Sequence, residues 1–293
     1  DRETLTLTMS SYIDTVVNLF EEHIPNKTTK TTPFPETVFL SKLDKSVTDD
    51  EAKRVLERGY QKAIHVGCLL WIARNVFCMC LVGVSMLCRV MSRPSELAWN
   101  AAMHMIAWLR DNKNMGIRFS HQGNSQPICF VDASNKPDPS DGKAQYGFCT
   151  MIQGGPVIFV SKKLNHVGLN AFHDEYMAMC ESAKSTVWLR QLLAELGEHD
   201  MISQPTLTYG DNNAALSLSV EDFVSTGNQY VYLPYHFNKE VSKLGYVVFK
   251  PKMSKFNIAD IFTKPVTRGV LAIFLPYACG LKLISTVVSR ETL

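Results

Sequence analysis

An α/β domain built on a mixed five-stranded sheet, preceded by a mainly α-helical lobe, is the architecture this sequence predicts. Two observations carry most of it. The first half reads in helical periods, and the second half alternates short apolar runs with helical patterns. A polar stretch, His121-Gln122-Gly123-Asn124-Ser125-Gln126-Pro127, separates the two. A third observation concerns chemistry. Four carboxylates, Asp132, Glu175, Asp211 and Asp260, sit in four different local contexts of the second half.

In the first lobe, Met9 to His23 groups Tyr12, Ile13, Val16, Val17, Leu19 and Phe20 at helical spacing. Pro25 to Pro35 is a Thr/Lys/Pro loop without an apolar period. Thr48 or Asp49 can cap a helix that opens with Asp50 and Glu51. Helical character then continues, with breaks, to about Met91. A further helix, Glu96 to Asn112, carries Leu97, Ala101, Met105, Trp108 and Leu109 on one stripe.

Strand signals follow at Ile128 to Val131, Tyr146 to Ile152 and Pro156 to Ser161, with Gly154-Gly155 as a hairpin turn. A long helix runs from Ala171 to Leu196 and Gly197 closes it. Thr206 to Tyr209 is a fourth strand and Gly245 to Lys250 a fifth. Short helices are expected at Asn212 to Ser219, Tyr235 to Lys243 and Ile258 to Thr263. Residues 1–120 thus form the helical region, 121–267 the sheet domain and 268–293 a tail.

The totals exclude little. Net charge is +2 over 293 residues, so no global field draws the chain to nucleic acid or to a membrane surface. One local excess exists. Lys239, Lys243, Lys250, Lys252, Lys255, Lys264 and Arg268 face only Glu240 and Asp260 in that stretch, which suits phosphate contact or simply a solvated face. The eight cysteines follow no disulfide or zinc spacing and lie mostly in apolar runs, as in a reducing compartment. The apolar region Val66 to Met91 is interrupted by Arg74, Asn75 and Arg89, so core helices are expected there, not a membrane span. No signal-peptide pattern is present, and a start at Asp1 without Met reads as a fragment or processed product.

Each carboxylate has a bland reading. Asp132 can begin a turn with Ser134 and Asn135, and Glu175 can be a first-turn charge favoured by the helix dipole. Asp211 can cap the helix after it, and Asp260 can be a surface charge. Together they suggest more. Acids that converge cannot stay bare, because repulsion and desolvation are too costly. Two divalent cations are the usual remedy, and such a site suggests phosphodiester chemistry. His173 and His236 are read as structural.

The words around these acids resemble the ribonuclease H domain of copia-type LTR retrotransposons. The matching stretches include Phe130-Val131-Asp132-Ala133, Ser161-Lys162-Lys163, Glu175-Tyr176-Met177-Ala178, Val187-Trp188-Leu189-Arg190, Asp211-Asn212-Asn213-Ala214-Ala215, Tyr235-His236-Phe237 and Ala259-Asp260-Ile261-Phe262-Thr263-Lys264-Pro265. Residues 128–267 are covered, in the family's order. The first lobe resembles what precedes that domain, the thumb-like end of the reverse transcriptase and its connection. Ser11-Tyr12-Ile13, Thr32-Pro33-Phe34-Pro35, Met91-Ser92-Arg93-Pro94 and Trp99-Asn100-Ala101-Ala102 carry that part.

The resemblance implies a ribonuclease H-like fold and an endonuclease that cuts the RNA strand of RNA/DNA hybrids. It implies two Mg²⁺ ions, with Mn²⁺ as a substitute, held by Asp132, Glu175, Asp211 and Asp260 as the catalytic acids. It implies nucleic-acid contacts from Lys162, Lys163, Asn212, Lys252, Lys255 and Lys264. The implied partners are an RNA/DNA hybrid and the remaining reverse transcriptase lobes, with no membrane. The setting would be intracellular, in a cytoplasmic virus-like particle or the nucleus. The polymerase's paired-aspartate motif is absent from this stretch. Two alternatives stay open. Gln229 to Pro234 departs from the family's pattern, which suits a decayed remnant that binds or scaffolds without cutting. A different nuclease or a transposase on the same fold is the other, although Asp260 followed by Thr263-Lys264-Pro265 favours ribonuclease H over an integrase-like site.

Overall fold

A computed structural model describes residues 3–25, 30–36, 38, 43, 47–64, 68–134, 141–219 and 231–282. The chain opens with β1 (Thr4–Thr8) and α1 (Ser10–Leu19). Among the described residues, the helices that follow are α2 (Asp49–Glu57), α3 (Tyr60–Ile64), α4 (Leu69–Asn75), α5 (Leu81–Cys88) and α6 (Glu96–Asp111). Caps behave as expected. Thr48 Oγ1 accepts from the Glu51 N–H at 3.2 Å, and Ser95 Oγ accepts from the Ala98 N–H at 3.1 Å. The apolar stretch that includes α4 and α5 is buried, and among the described residues no helix is long and apolar enough to cross a membrane.

The main sheet contains β3 (Ile128–Ala133), β4 (Gln145–Ile152), β5 (Gly155–Lys163), β6 (Thr206–Gly210) and β7 (Val247–Pro251), in the order β5-β4-β3-β6-β7. The first three form an antiparallel meander. β6 and β7 then add parallel to β3, which requires crossovers. α7 (Ala171–Glu195) supplies the first crossover, and α8 (Asn213–Leu218) and α9 (Tyr232–Lys243) lie on the second. α10 (Asp260–Thr263) and α11 (Arg268–Ala278) end the described chain. This is an α/β fold on a mixed five-stranded sheet with a helical lobe before it, as the sequence predicts.

Every residue of β3 is buried, because the strand is central and covered on both faces. Its side chains alternate between two apolar clusters. Ile128 and Phe130 join α4 to α6 and α10 on one face, and Cys129, Val131 and Ala133 join Tyr176 and Met179 of α7 on the other. The helical lobe and the sheet therefore share one core. α7 is capped by Asn170, whose side chain accepts from the His173 N–H, and is closed by Gly197 at φ 81°.

Three features differ from expectation. β1 pairs antiparallel with β2 (Gly116–Ser120), a long-range pairing with weak local signal. The expected tail begins with α11, whose Leu271, Phe274, Tyr277 and Ala278 are buried in the shared core. α9 starts at Tyr232 and not at the expected Tyr235. Pro234 occupies the first turn, where a missing N–H costs nothing. Gln229 and Tyr230 of the divergent run lie outside the described residues.

Phe130 is fully buried and stacks on Tyr209 with ring centroids 5.5 Å apart. We expect Phe130→Ala to cost about 3–5 kcal/mol, measured by urea denaturation.

Candidate active site

Parallel pairing places the carboxyl ends of β3 and β6 at the same edge. Phe130 pairs with Tyr209, so Asp132 and Asp211 fall side by side two steps further along. Asp132 is the fifth residue of β3, and Asp211 follows the last residue of β6. α7 approaches the same edge through its first two turns and turns Glu175 toward the sheet. Carboxylate oxygens of Asp132, Glu175 and Asp211 all lie within 4.8 Å of one another. Asp132 and Glu175 are only 4% and 5% exposed, so these are not surface acids.

Asp260 opens α10 beside this group, and its Oδ1 accepts from Lys264 Nζ at 3.0 Å. It is close enough to Asp132 for the two charges to act on each other, although its oxygens fall outside the three-residue cluster. The four predicted acids are therefore brought to one edge, three of them in mutual ligand range.

Three of the four bland readings fail for physical reasons. Asn212, not Asp211, caps α8: its Oδ1 accepts from the Ala215 N–H at 3.1 Å. Glu175 is buried at the end of β3 and is not a solvated first-turn charge. Asp132 lies within the strand, not in a turn.

Electrostatics follow from this crowding. Burial raises the Asp132 pKa well above the carboxylate range, and the charges of Asp260 and Asp211 push it the same way, while the Thr263 hydroxyl opposes them. Burial also raises Glu175, helped by Asp132 and Asp211 and opposed by the Ala133 N–H. A cation among the three oxygens would reverse both shifts. The donor set is oxygen only, acidic and convergent, which fits a hard divalent ion such as Mg²⁺.

Three supporting residues had no assigned role in the sequence reading. Thr263 Oγ1 donates to Asp132 Oδ2 at 2.5 Å, and Ser254 Oγ donates to Asp211 Oδ2 at 2.5 Å. Buried Asn257 donates to the Val131 carbonyl at 2.8 Å and accepts from the Ala259 N–H at 3.2 Å, pinning the α10 turn to β3. The spacing Asp260-x-x-Thr263 was the available signal, since it places both side chains on one face of a helical turn.

The expected nucleic-acid contacts divide. Lys162 and Lys255 are exposed. Lys163 is paired with Asp141 at 2.6 Å, and Lys264 with Asp260. Asn212 is engaged as the α8 cap. Lys252 is corrected: it is 2% exposed, with Nζ 5.3 Å from the Tyr209 ring centroid, and presents no ammonium to a backbone phosphate.

No family model matches the chain. The retrovirus-related Pol polyprotein from transposon TNT 1-94 of Nicotiana tabacum is 27% identical over 268 residues, covering 90% of this chain and 19% of that polyprotein. The Pol polyprotein from transposon RE2 of Arabidopsis thaliana is 26% identical over 206 residues, covering 67% of this chain and 14% of that polyprotein. This chain is a relative of plant retrotransposon Pol polyproteins. The expected resemblance to a retrotransposon Pol polyprotein is thereby met. The chain spans about a fifth or less of the Pol polyproteins it matches (19% and 14%). Among solved structures, ribonuclease H1 of Halobacterium salinarum aligns over 47% of this chain and 93% of its own length, at 13% identity and a TM-score of 0.35.

A carboxyl whose folded pKa lies above its unfolded value destabilises the fold above that folded pKa and not below the unfolded one. Asp132 and Glu175 are both raised. We expect this chain in EDTA to gain stability as pH falls from 9 toward the ordinary carboxylate range at ~4. Glu175→Gln should flatten that slope, as measured by melting temperature against pH.

Proposed function

We propose that this chain carries a metal-dependent ribonuclease H activity, hydrolysing the RNA strand of RNA/DNA hybrids during retrotransposon reverse transcription. The observation that carries the reading is the convergence of Asp132, Glu175 and Asp211 at the carboxyl edge of a ribonuclease H-like sheet. The Pol relatives support a nucleic-acid substrate and a polyprotein context. Asp132, Glu175, Asp211 and Asp260 are the proposed catalytic and metal-holding residues. Residues 121–267 are the proposed catalytic domain, and residues 1–120 the thumb and connection-like region.

When bound, divalent ions supply an activated water and charge stabilisation at the scissile phosphate. The chain's own groups prepare the site. Thr263 fixes the rotamer of Asp132, and Ser254 anchors Asp211. These two carboxylates are thus directed before any ligand arrives, so less reorganisation remains for the reaction. Burial of Asp132 and Glu175 limits competing water and keeps the local dielectric low. Lys162 and Lys255, both exposed, are proposed to contact the backbone. RNA would be distinguished from DNA by its 2′-hydroxyl in the shallow minor groove.

The test is labelled hybrid with Mg²⁺ or Mn²⁺, compared with EDTA. We expect cleavage of the RNA strand only with metal. Asp132→Asn should lower the rate by more than about 100-fold, and Thr263→Val by ~10–100-fold, as expected for loss of a ligand's hydrogen-bond partner. Salt-sensitive hybrid binding with no metal-dependent cleavage would favour the decayed-remnant reading instead.

A further inference from the structure

A polar chain runs from the helical lobe to the turn that carries Asp260. Gln145 opens β4 and is 6% exposed. Its amide donates to Ser85 Oγ at 3.2 Å and to Ser161 Oγ at 2.7 Å, and its carbonyl oxygen accepts from Arg89 Nη2. Ser161 Oγ then donates to the Phe262 carbonyl at 2.6 Å. Ser85 lies within α5, and Arg89 is the residue that ends it. Both donors and the acceptor of the Gln145 amide are used, so no alternative partner competes for it.

Strand register puts this chain on the acid's own face. Asp132 pairs with Gly147, and Gly147 with Ser161, so the three form one row across β3, β4 and β5. Gln145 stands two residues from Gly147 on the same face. That face is the one the helical lobe covers. Gly147 is bare because Phe262 occupies the space. A Cβ there would lie 2.4 Å from the Phe262 Cβ. α10 is thereby held at its carbonyl by Ser161 and at its Thr263 hydroxyl by Asp132.

We propose that Arg89, Ser85, Gln145 and Ser161 are positioning residues, through which the helical lobe sets the Asp132–Asp260 side of the acidic site. The proposal rests on reading that site as a divalent-metal site. Loss of the Gln145 amide leaves buried Ser161 without its donor and frees the Phe262 carbonyl to shift. Thr263 and Asp260 move with it, because only one helical turn separates them. A sheet domain cut away from its helical lobe would keep its four acids and lose their alignment.

The experiment uses the full chain with Gln145→Leu, Ser161→Ala and a control, Leu109→Ala, which removes buried apolar volume in α6 and is not a member of the relay. Amide hydrogen exchange in EDTA reads the coupling without metal, and a Mn²⁺ titration followed by electron paramagnetic resonance reads its consequence. We expect exchange over residues 258–264 to quicken about tenfold in both relay variants while β3 stays protected. Mn²⁺ affinity should fall about tenfold in the same variants, as for loss of a ligand's hydrogen-bond partner. Leu109→Ala should lower the melting temperature and change neither readout selectively. Unchanged exchange at 258–264, unchanged Mn²⁺ affinity, or the same selective pattern in Leu109→Ala would each overturn the proposal. A wild-type chain that binds no Mn²⁺ overturns it too, and in that case the metal-site reading is the part that failed, whatever the exchange shows.

Discussion

Two carboxyl groups buried side by side at the end of a central strand are the constraint from which the rest of this structure follows. Asp132 and Glu175 lose water and face each other and Asp211. That arrangement costs free energy in the absence of a cation. It persists because the surrounding fold over-determines it. β3 is paired on both sides, α7 packs on β3 and β4 and against α8 and α9, and Asp132 and Asp211 each accept from a hydroxyl. Fold stability is here spent on holding a site in a state that only a ligand relieves, a pattern common where charge is prepared in advance.

The sheet's two faces divide the labour. One face packs α7 and sets Glu175. The other packs α10 and the helical lobe, and sets Asp132 and Asp260. Period-2 alternation along β3 is what separates these duties. Phe130 anchors the face toward the helical lobe, Val131 the face toward α7, and Asp132 emerges at the end of the first row. The helical lobe is thus part of the same core as the acid-bearing sheet. It reaches the site through apolar contact and through the Arg89–Gln145–Ser161 relay.

Much of this was legible in the chain itself. The five strands, the long helix from Ala171 and its Gly197 closure all follow from local periodicity and turn chemistry, which operate over a few residues. The acids could be picked out because each sits at the end or start of such an element. What escaped was long-range. β1 and β2 are separated by more than a hundred residues and show their strand character only in pairing. α11 was passed over as a tail because its stripe of Leu271, Phe274 and Tyr277 acquires meaning only from the core it enters. Lys252 looked like one basic residue among several, and only the neighbouring strand turns it onto Tyr209.

The sequence by itself therefore determined the order of the main-sheet strands and the long helix among them, the α/β class and the positions of the four acids along the chain, since these depend on local pattern and residue type. Tertiary structure alone decided which acids share ligand range, which residue caps α8, and which hydroxyl serves which carboxylate. The physical reason is that strand register and face are relations between segments. Asp132, Gly147 and Ser161 become neighbours through the β3–β4–β5 ladder, and Thr263 meets Asp132 across 131 positions of chain.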